Sequence, residues 1–457
     1  MSLSWKERAF LALLGAATAS GLVVLILILV EASSVLLPAD TKFGIVFDAG
    51  SSHTSLFLYQ WQADKKNNSG VISQALACHV EGPGISSYAS DPTQAGESLK
   101  GCLGEALGLI PKAQHRDTAT FLGATAGMRL RQKNGSLARG ILAAVTRVLS
   151  QSPVDFWGAE ILTGRDEGSF AWITINYALG RLVKYSSSGE WIQPAEWAPV
   201  GILDMGGAST QISFVPAAPI LDQSTQTTFR LYGRNYSVYT HSYLCYGRDA
   251  ALGRLLAALV QSGPQRPVHH PCYHSGYQVV LPPAALHSSP CTSGSAAPEP
   301  PWNLTVLGTG NPAACLAAIR ALFNFSSCAG QRECAFNGVY QPPLRGRFYV
   351  EASYPGQERW LCSLCASGLY ILTLLQQGYG FSADTWPSID FQEQAGGVDI
   401  GWTLGYMLNL TGMIPAEAPA PGRVQSYGVW TAGIVFLVLT IGTVLGAGAV
   451  QLLWPQE

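Results

Sequence analysis

Two long stretches without a charged residue stand near opposite ends of this 457-residue chain and constrain everything between them. The first runs from Ala9 to Val30 and is rich in Leu, Val and Ile; the second runs from Val424 to Gln456. Roughly 20 apolar residues rising 1.5 Å each cross a bilayer, so residues 9–30 and 427–454 read as transmembrane helices. The first run exceeds the roughly 7–15 apolar residues of a cleaved signal peptide, and a retained anchor is the preferred reading. No long polar spacer precedes the second run, which separates it from a lipid-anchor signal. Trp430 and Trp454 lie near its ends, where aromatic rings favour the interface. Lys6 and Arg8 precede the first span and Glu31 follows it. Excess positive charge stays on the cytoplasmic side, so residues 1–8 form a cytoplasmic tail and a second crossing returns the C-terminus to that side. The expectation is a plasma-membrane protein with an extracellular segment between two spans.

The composition agrees. Charged residues are only 12% of the chain, about half the usual ~25%. A net charge of −2 leaves no electrostatic footprint for nucleic acid. At 48% hydrophobic, the chain is not compositionally disordered. Its ten cysteines (78, 102, 245, 272, 291, 315, 328, 334, 362 and 365) all lie between the spans. An even number in an outward-facing segment favours disulfides. Cys362 and Cys365 have zinc-ligand spacing, but no second such pair and no nearby His cluster accompanies them. Six Asn-x-Ser/Thr sequons, at Asn67, Asn134, Asn235, Asn303, Asn324 and Asn409, favour a glycosylated ectodomain.

An ectodomain of this length suggests two lobes, at roughly 100–200 residues per domain. Residues 287–302 read as an exposed Ser/Pro-rich loop and residues 415–426 as a stalk before the second span. Within the ectodomain one pattern occurs twice. Phe43-Gly44-Ile45-Val46-Phe47 is an apolar run, Asp48-Ala49-Gly50-Ser51-Ser52-His53-Thr54-Ser55 follows, and Leu56-Phe57-Leu58-Tyr59 is a second apolar run. Val200-Gly201-Ile202-Leu203 likewise leads into Asp204-Met205-Gly206-Gly207-Ala208-Ser209-Thr210 and then Gln211-Ile212-Ser213-Phe214. Each reads as strand, tight polar turn, strand. Glycine removes the Cβ that would block a ligand, successive backbone N–H groups converge on an anion, and Ser and Thr hydroxyls add donors. An Asp at the strand end can hold a divalent cation, through water where the ion keeps its hydration. One such turn alone is as readily an ordinary hairpin; two copies, each with Asp before its glycines, point to a clamp on a phosphate chain.

Paired hairpins of this kind resemble the phosphate loops of the actin, sugar-kinase and heat-shock chaperone ATPases. More narrowly, the chain resembles the ecto-nucleoside triphosphate diphosphohydrolases, the cell-surface group of the apyrase family. The resemblance rests on DAGSSHTS at 48–55, GATAGMRL at 123–130, the stretch from Trp157 to Tyr177, DMGGASTQ at 204–211 and DIGWTLGYMLN at 399–409. It implies an α/β, two-lobed, ribonuclease H-like ectodomain, with lobe I over 31–163, lobe II over 164–395 and a return to lobe I at 396–414. It implies hydrolysis of ATP to ADP and of ADP to AMP with Ca²⁺ or Mg²⁺, without a phosphoenzyme. Asp48 and Asp204 would hold the metal mostly through water, with Trp402 lining that shell. Ser51, Ser52, His53, Thr125, Gly206, Gly207 and Ala208 would bind phosphates. Glu167 would be the general base, with Ser209 and Gln211 placing the attacking water. Disulfides 78–102, 245–291, 272–315 and 328–334 are implied by the same resemblance, and a homo-oligomer formed through the transmembrane helices is compatible with it.

One departure stands out. After Arg347-Phe348-Tyr349 the family pattern continues through a longer aromatic-rich stretch, whereas this chain passes directly to Val350-Glu351-Ala352-Ser353-Tyr354. No base-stacking aromatic and no partner for Cys365 is therefore carried over, and an impaired enzyme is one expectation. Taken alone, the residues also have plainer readings. Glu167 follows Thr163 and would suit a helix N-terminus, His53 a surface loop, Thr125 and Arg129 a strand-end turn, and Trp402 a core. Two rival functions stay open at this point: an ATP-binding chaperone- or kinase-like switch, and a non-catalytic glycosylated ectodomain.

Overall fold

The computed structural model describes residues 4–36, 41–62, 72–132, 135–182, 184–185, 191–192, 198–231, 234–262, 267–282, 286, 289–292, 303–351, 363–410 and 427–453. Asn67, Asn134, Cys362, Trp454 and the stalk 415–426 lie outside the described residues.

Two apolar helices, Trp5–Leu36 and Tyr427–Leu453, are long enough to cross a membrane. The first starts ahead of the expected span because Ser4 and Glu7 form a reciprocal cap. The Ser4 N–H donates to Glu7 Oε2 at 2.8 Å, and the Glu7 N–H to Ser4 Oγ at 3.3 Å. The helices meet at a polar point, where Thr440 Oγ1 donates to Ser20 Oγ at 2.8 Å. Leu22, Leu25, Val438 and Leu445 are exposed, an apolar surface that suits lipid rather than water.

Between the helices lie two sheets with matching topology. The first is ordered Ser73–His79, Thr54–Gln62, Thr41–Ala49, Ala119–Ala124, Asp155–Ile161. Its first three strands pair antiparallel and the last two run parallel to Thr41–Ala49. The second is ordered Gln226–Leu231, Arg234–Leu244, Ser209–Phe214, Gly201–Met205, Phe348–Glu351, Ile389–Gln392. Here too a hairpin and its neighbouring antiparallel strand are followed by two parallel strands. The second sheet thus repeats the first with one extra edge strand. The two Asp-Gly-Ser segments are the connections of equivalent hairpins, and the same strand order brings them to equivalent ends of the two sheets. Phe348–Glu351 is interior to its sheet, paired in parallel on both sides.

Burial explains the stacking. The outer face of the first sheet packs Ile45, Phe47, Leu56 and Leu122 against Leu99, Leu103, Ile141 and Val145. The outer face of the second packs Leu203, Ile212, Phe348 and Val350 against Leu255, Ile319 and Tyr370. The inner faces share one core, in which Val46 and Phe121 from one sheet and Ile202 and Tyr349 from the other enclose Trp172, Ile175, Leu404 and Met407. Two helices, Gly164–Ala178 and Thr403–Leu410, supply those last residues and are wedged between the sheets. They touch backbone to backbone. A Cβ on Gly405 would collide with the Phe170 carbonyl, and the Gly405 N–H donates to Thr174 Oγ1 at 2.9 Å. Disulfides join Cys78 to Cys102, Cys245 to Cys291, Cys272 to Cys315 and Cys328 to Cys334. Cys365 is free and exposed. Asn235, Asn303, Asn324 and Asn409 are exposed, as glycan acceptors must be.

Candidate active site

The cleft between the sheets is built by the two repeated hairpins. In the first, Asp48 closes its strand opposite Ser55 and lies beside Gly123 of the neighbouring parallel strand. The turn that follows is held from two sides. The Gly84 N–H donates to the Ser52 carbonyl at 3.2 Å, and a Cβ on Gly127 would lie 2.8 Å from Ser51 Cα. Ser52 Oγ and His53 Nδ1 are hydrogen-bonded at 3.0 Å. Desolvation lowers the His53 pKa, and the neighbouring His79 lowers it further. Thr125 stands at the N-cap position of the short helix Ala126–Arg131 without a side-chain capping bond, and its N–H donates to the Ala49 carbonyl at 3.1 Å.

In the second hairpin the carbonyls are turned away from the cleft. Those of Gly206, Gly207 and Ala208 accept from the N–H groups of Arg248, Ala250 and Cys245 at 3.0, 2.9 and 2.8 Å. The two loops confront each other: a Cβ on Gly207 would lie 2.7 Å from Ser51 Oγ and 3.4 Å from Ser52 Cβ. Asp249 Oδ2 lies on the same side, 2.9 Å from that position.

Deeper in the cleft three carboxylates from different elements approach one another. Burial, and after it the charge of Asp204, raises the Asp48 pKa to about 7 against the opposing pull of the nearby Trp402 indole. Asp204 is 6% exposed and its pKa is also raised by burial. Gln211 Nε2 reaches Asp204 Oδ2 at 3.5 Å, a long contact. Glu167 is 6% exposed, and burial raises its pKa to about 8 against the opposing pull of Arg129.

Glu167 does not cap its helix. Thr163 does so, with Asp166 as its partner: the Asp166 N–H donates to Thr163 Oγ1 at 3.1 Å, and Thr163 Oγ1 donates to Asp166 Oδ2 at 2.6 Å. Glu167, one residue later, is turned into the cleft instead. There Arg129 Nη1 donates to Glu167 Oε2 at 2.7 Å and Arg129 Nη2 to Ser209 Oγ at 2.9 Å. One guanidinium therefore holds Glu167 and Ser209 together. It is itself anchored on the Leu162 carbonyl at 3.0 Å. Trp402, 2% exposed, lies over Gly123, where any Cβ would collide with the indole ring.

The residues singled out from sequence thus fall into one cleft, on five segments of chain. Two neighbours were not singled out. Arg129 is part of the GATAGMRL motif, but alone it reads as a strand-end residue. Glu351 ends the strand Phe348–Glu351, one step beyond the pairing of Val350 with Leu203 and so beside Asp204. The available signal was an apolar run closed by an acidic residue, as at Asp48 and Asp204, but without the glycines.

The donor set suits a hydrated divalent cation. Asp48 Oδ1 is buried and Gln211 is 1% exposed, and neither Asp48 Oδ1 nor Gln211 Oε1 has a hydrogen-bond partner among the described residues. Asp48 and Asp204 raise the proton affinity of the cleft, as like charges do when no cation separates them. No group of three or more His, Cys, Asp or Glu side chains among the described residues is arranged to ligate a metal directly. An ion held through its own waters fits that combination.

Comparison with known proteins gives a consistent result. The sequence profile of the GDA1/CD39 (nucleoside phosphatase) family matches residues 34–360 and 348–423. The mouse (Mus musculus) protein "Ectonucleoside triphosphate diphosphohydrolase 8" is 64% identical over 498 aligned positions, covering all of both chains. The human (Homo sapiens) protein of that name is 65% identical over 495 positions with the same coverage, and the chicken (Gallus gallus) one 46% over 494. Among solved structures, a nucleoside triphosphate hydrolase from Neospora caninum superimposes with a TM-score of 0.55 at 14% identity, covering 82% of this chain and 93% of that one. At that identity the likeness bears on the fold alone.

Proposed function

The chain belongs to the GDA1/CD39 family of nucleoside phosphatases, and from that premise we propose that it hydrolyses extracellular nucleoside triphosphates and diphosphates, releasing phosphate to leave the monophosphate. The observation that carries the reading is the approach of Gly207 to Ser51 across the cleft, with Asp48 and Asp204 at the heads of the two loops. In this reading the Gly207 and Ala208 N–H groups and the Ser51 and Ser52 hydroxyls grip the phosphate chain from opposite walls. His53, Thr125 and Gly206 complete those walls. Asp48 and Asp204, with Trp402 beside them, hold a divalent cation of the Ca²⁺ or Mg²⁺ class through its waters. When bound, that ion supplies neutralisation of phosphate charge.

Glu167 is the general base. It must accept a proton from a water in line with the scissile bond, and a carboxyl raised towards neutral pH is matched to that task. Ser209 Oγ, fixed by Arg129, and the Gln211 amide orient the water. Phosphoryl transfer needs little covalent chemistry from the protein, so placing these groups constitutes most of the catalysis. Kinase-like, chaperone-like and non-catalytic readings give way, because the family is one of nucleoside phosphatases.

The two apolar helices make this a membrane protein. We take the ectodomain to be extracellular and both termini cytoplasmic, from the Lys6 and Arg8 charge. We take lobe I as 31–163 with its return at 396–414, supported by the 2.8 Å hydrogen bond between Tyr59 and Thr403, and lobe II as 164–395. The test uses membranes from cells expressing the full chain. They should release phosphate from added ATP and from added ADP with Ca²⁺ or Mg²⁺ present, and not with a chelator. The Glu167→Gln variant should reach the surface and release none; normal turnover by that variant would remove Glu167 from the role.

A further inference from the structure

Glu351 is an acidic residue beside Asp204 that the proposed reaction leaves without a role. Its placement follows from strand register. Phe348, Tyr349 and Val350 pair in parallel with Gly201, Ile202 and Leu203, so the next step sets Glu351 beside Asp204. Side chains alternate across a sheet. Leu203 and Val350 enter the outer core, and Ile202 and Tyr349 the inner one. Asp204 and Glu351 therefore share the inner face, towards Trp402 and Asp48. Burial and the Asp204 carboxylate beside it raise the Glu351 pKa.

Residues 348–360 are matched by two separate stretches of the family profile, and the alignments to the mammalian relatives run to 495 and 498 positions against 457 residues here. Glu351 lies within that doubly matched stretch.

Around the same point, buried acceptors lack donors. Asp48 Oδ1 and Gln211 Oε1 have no partner among the described residues, and Gln211, 1% exposed, presents its amide to Asp204. Acceptors without donors beside carboxylates, with no three-ligand metal cage among the described residues, are the complement of water molecules carried by a cation. Each metal-bound water is a strong donor and needs such an acceptor. We propose that Glu351 is a third carboxylate of this site, acting on the waters of a strongly hydrated divalent cation of the Mg²⁺ class, so that this chain takes up that cation before any nucleotide arrives. Three carboxylates hold the hydrated ion, where Asp48 and Asp204 alone would need the nucleotide's phosphates to complete its surroundings.

The proposal rests on the reading of Asp48 and Asp204 as the cation site, and its test separates the two. The full chain in detergent micelles is titrated with Mg²⁺ alone, without nucleotide, by calorimetry. Wild type should bind one Mg²⁺, Glu351→Gln should bind roughly 10-fold more weakly or worse, as loss of an outer partner of a metal site does, and Glu351→Asp, which keeps the charge, should stay within a few-fold of wild type. Hexaamminecobalt(III), a cation that binds only through its outer shell, should compete with Mg²⁺ at the site. If Glu351→Gln binds as wild type does while Asp204→Asn loses the ion, the role of Glu351 is overturned and the site reading stands. If Asp48→Asn and Asp204→Asn also bind normally, the site reading itself fails. No Mg²⁺ binding by wild type without nucleotide, or no competition by hexaamminecobalt(III), overturns the proposal. The Glu351→Asp arm keeps it open to refutation should Glu351→Gln lose its melting transition.

Discussion

Gly207 faces Ser51 across the cleft so closely that a single added methyl would lie 2.7 Å from the Ser51 hydroxyl oxygen. The two chain segments come from different sheets, so this distance fixes the separation of the two phosphate-binding walls. Gly207→Ala should therefore push the loops apart without disturbing either core. Overpacking of this kind costs about 1–3 kcal/mol, and a coupling of that size is roughly 5- to 150-fold in a binding constant. The effect should appear as a raised KM for both ATP and ADP in a phosphate-release assay, together with a melting temperature lower by a few degrees. An unchanged KM would mean that the phosphate chain does not lie between these loops.

Glu167 and Arg129 form a buried pair, with side chains 8% and 11% exposed, and the two members should fail differently. Glu167→Gln retains shape and a hydrogen bond from the guanidinium, so stability should change little. Loss of a general base costs roughly 10²–10⁴-fold in rate, and that loss should fall on kcat with KM nearly constant. Arg129→Ala instead strands a buried carboxylate and releases Ser209. Breaking one side of a buried pair costs about 3–5 kcal/mol, so this variant should lose melting temperature as well as turnover. Parallel thermal denaturation and kinetics of the two variants distinguish a base from a strut.

The hairpins were legible because their signal is local. An apolar run, an Asp, glycines and hydroxyls, and another apolar run fix strand, turn and strand within twenty or so residues, a span short enough for pattern to decide. The helix carrying Glu167 was legible as a helix, but its start alone could not show that Asp166, not Glu167, answers Thr163. That assignment depends on which side chain the cleft draws inward. Arg129 and Glu351 acquire their meaning only through pairing. Arg129 reaches Glu167 and Ser209 across the cleft, and Glu351 meets Asp204 through parallel register between strands far apart in sequence. Parallel neighbours leave no local trace, because the connection between them is long. The first apolar helix extends beyond residues 9–30 and starts at Trp5, where the Ser4–Glu7 cap, a signal outside the apolar run, fixes its first turn.

Trp402 depends on Gly123 in the same way that the loops depend on Gly207. The indole occupies the space that any side chain at 123 would fill, and it lies beside Asp48 at the head of the first loop. Gly123→Ala should displace the ring from the cation site while leaving Ser51 and Gly207 untouched. The expected signature is a higher Mg²⁺ or Ca²⁺ concentration for half-maximal phosphate release at fixed, saturating nucleotide. If the cation dependence stays where it is and only stability falls, Trp402 is a core residue and nothing more.

The crowded carboxylates also fix the sign of the pH dependence. Glu167 holds its proton up to about pH 8 and Asp48 up to about 7 in the fold, against ordinary values of 4.5 and 3.8. Between those limits the unfolded chain has released protons that the folded chain still binds, so folding loses ground as pH rises. Each such group contributes a slope of up to about 1.4 kcal/mol per pH unit. Burial lowers the pKa values of His241 and His270 to about 4, which gives the opposite slope below about pH 6.5. With a chelator present, the melting temperature of the full chain in detergent should therefore fall from about pH 7 to about pH 8 and level off above it. Mg²⁺ should flatten the fall, since a cation between Asp48 and Asp204 favours their ionised forms. The rate runs the other way: a base must be ionised to act, so kcat/KM should rise with pH to a plateau beginning no higher than about 8. A metal-free melting temperature that climbed through this range would show that Glu167 and Asp48 are already ionised in the fold, and would remove the electrostatic argument for a cation between the loops.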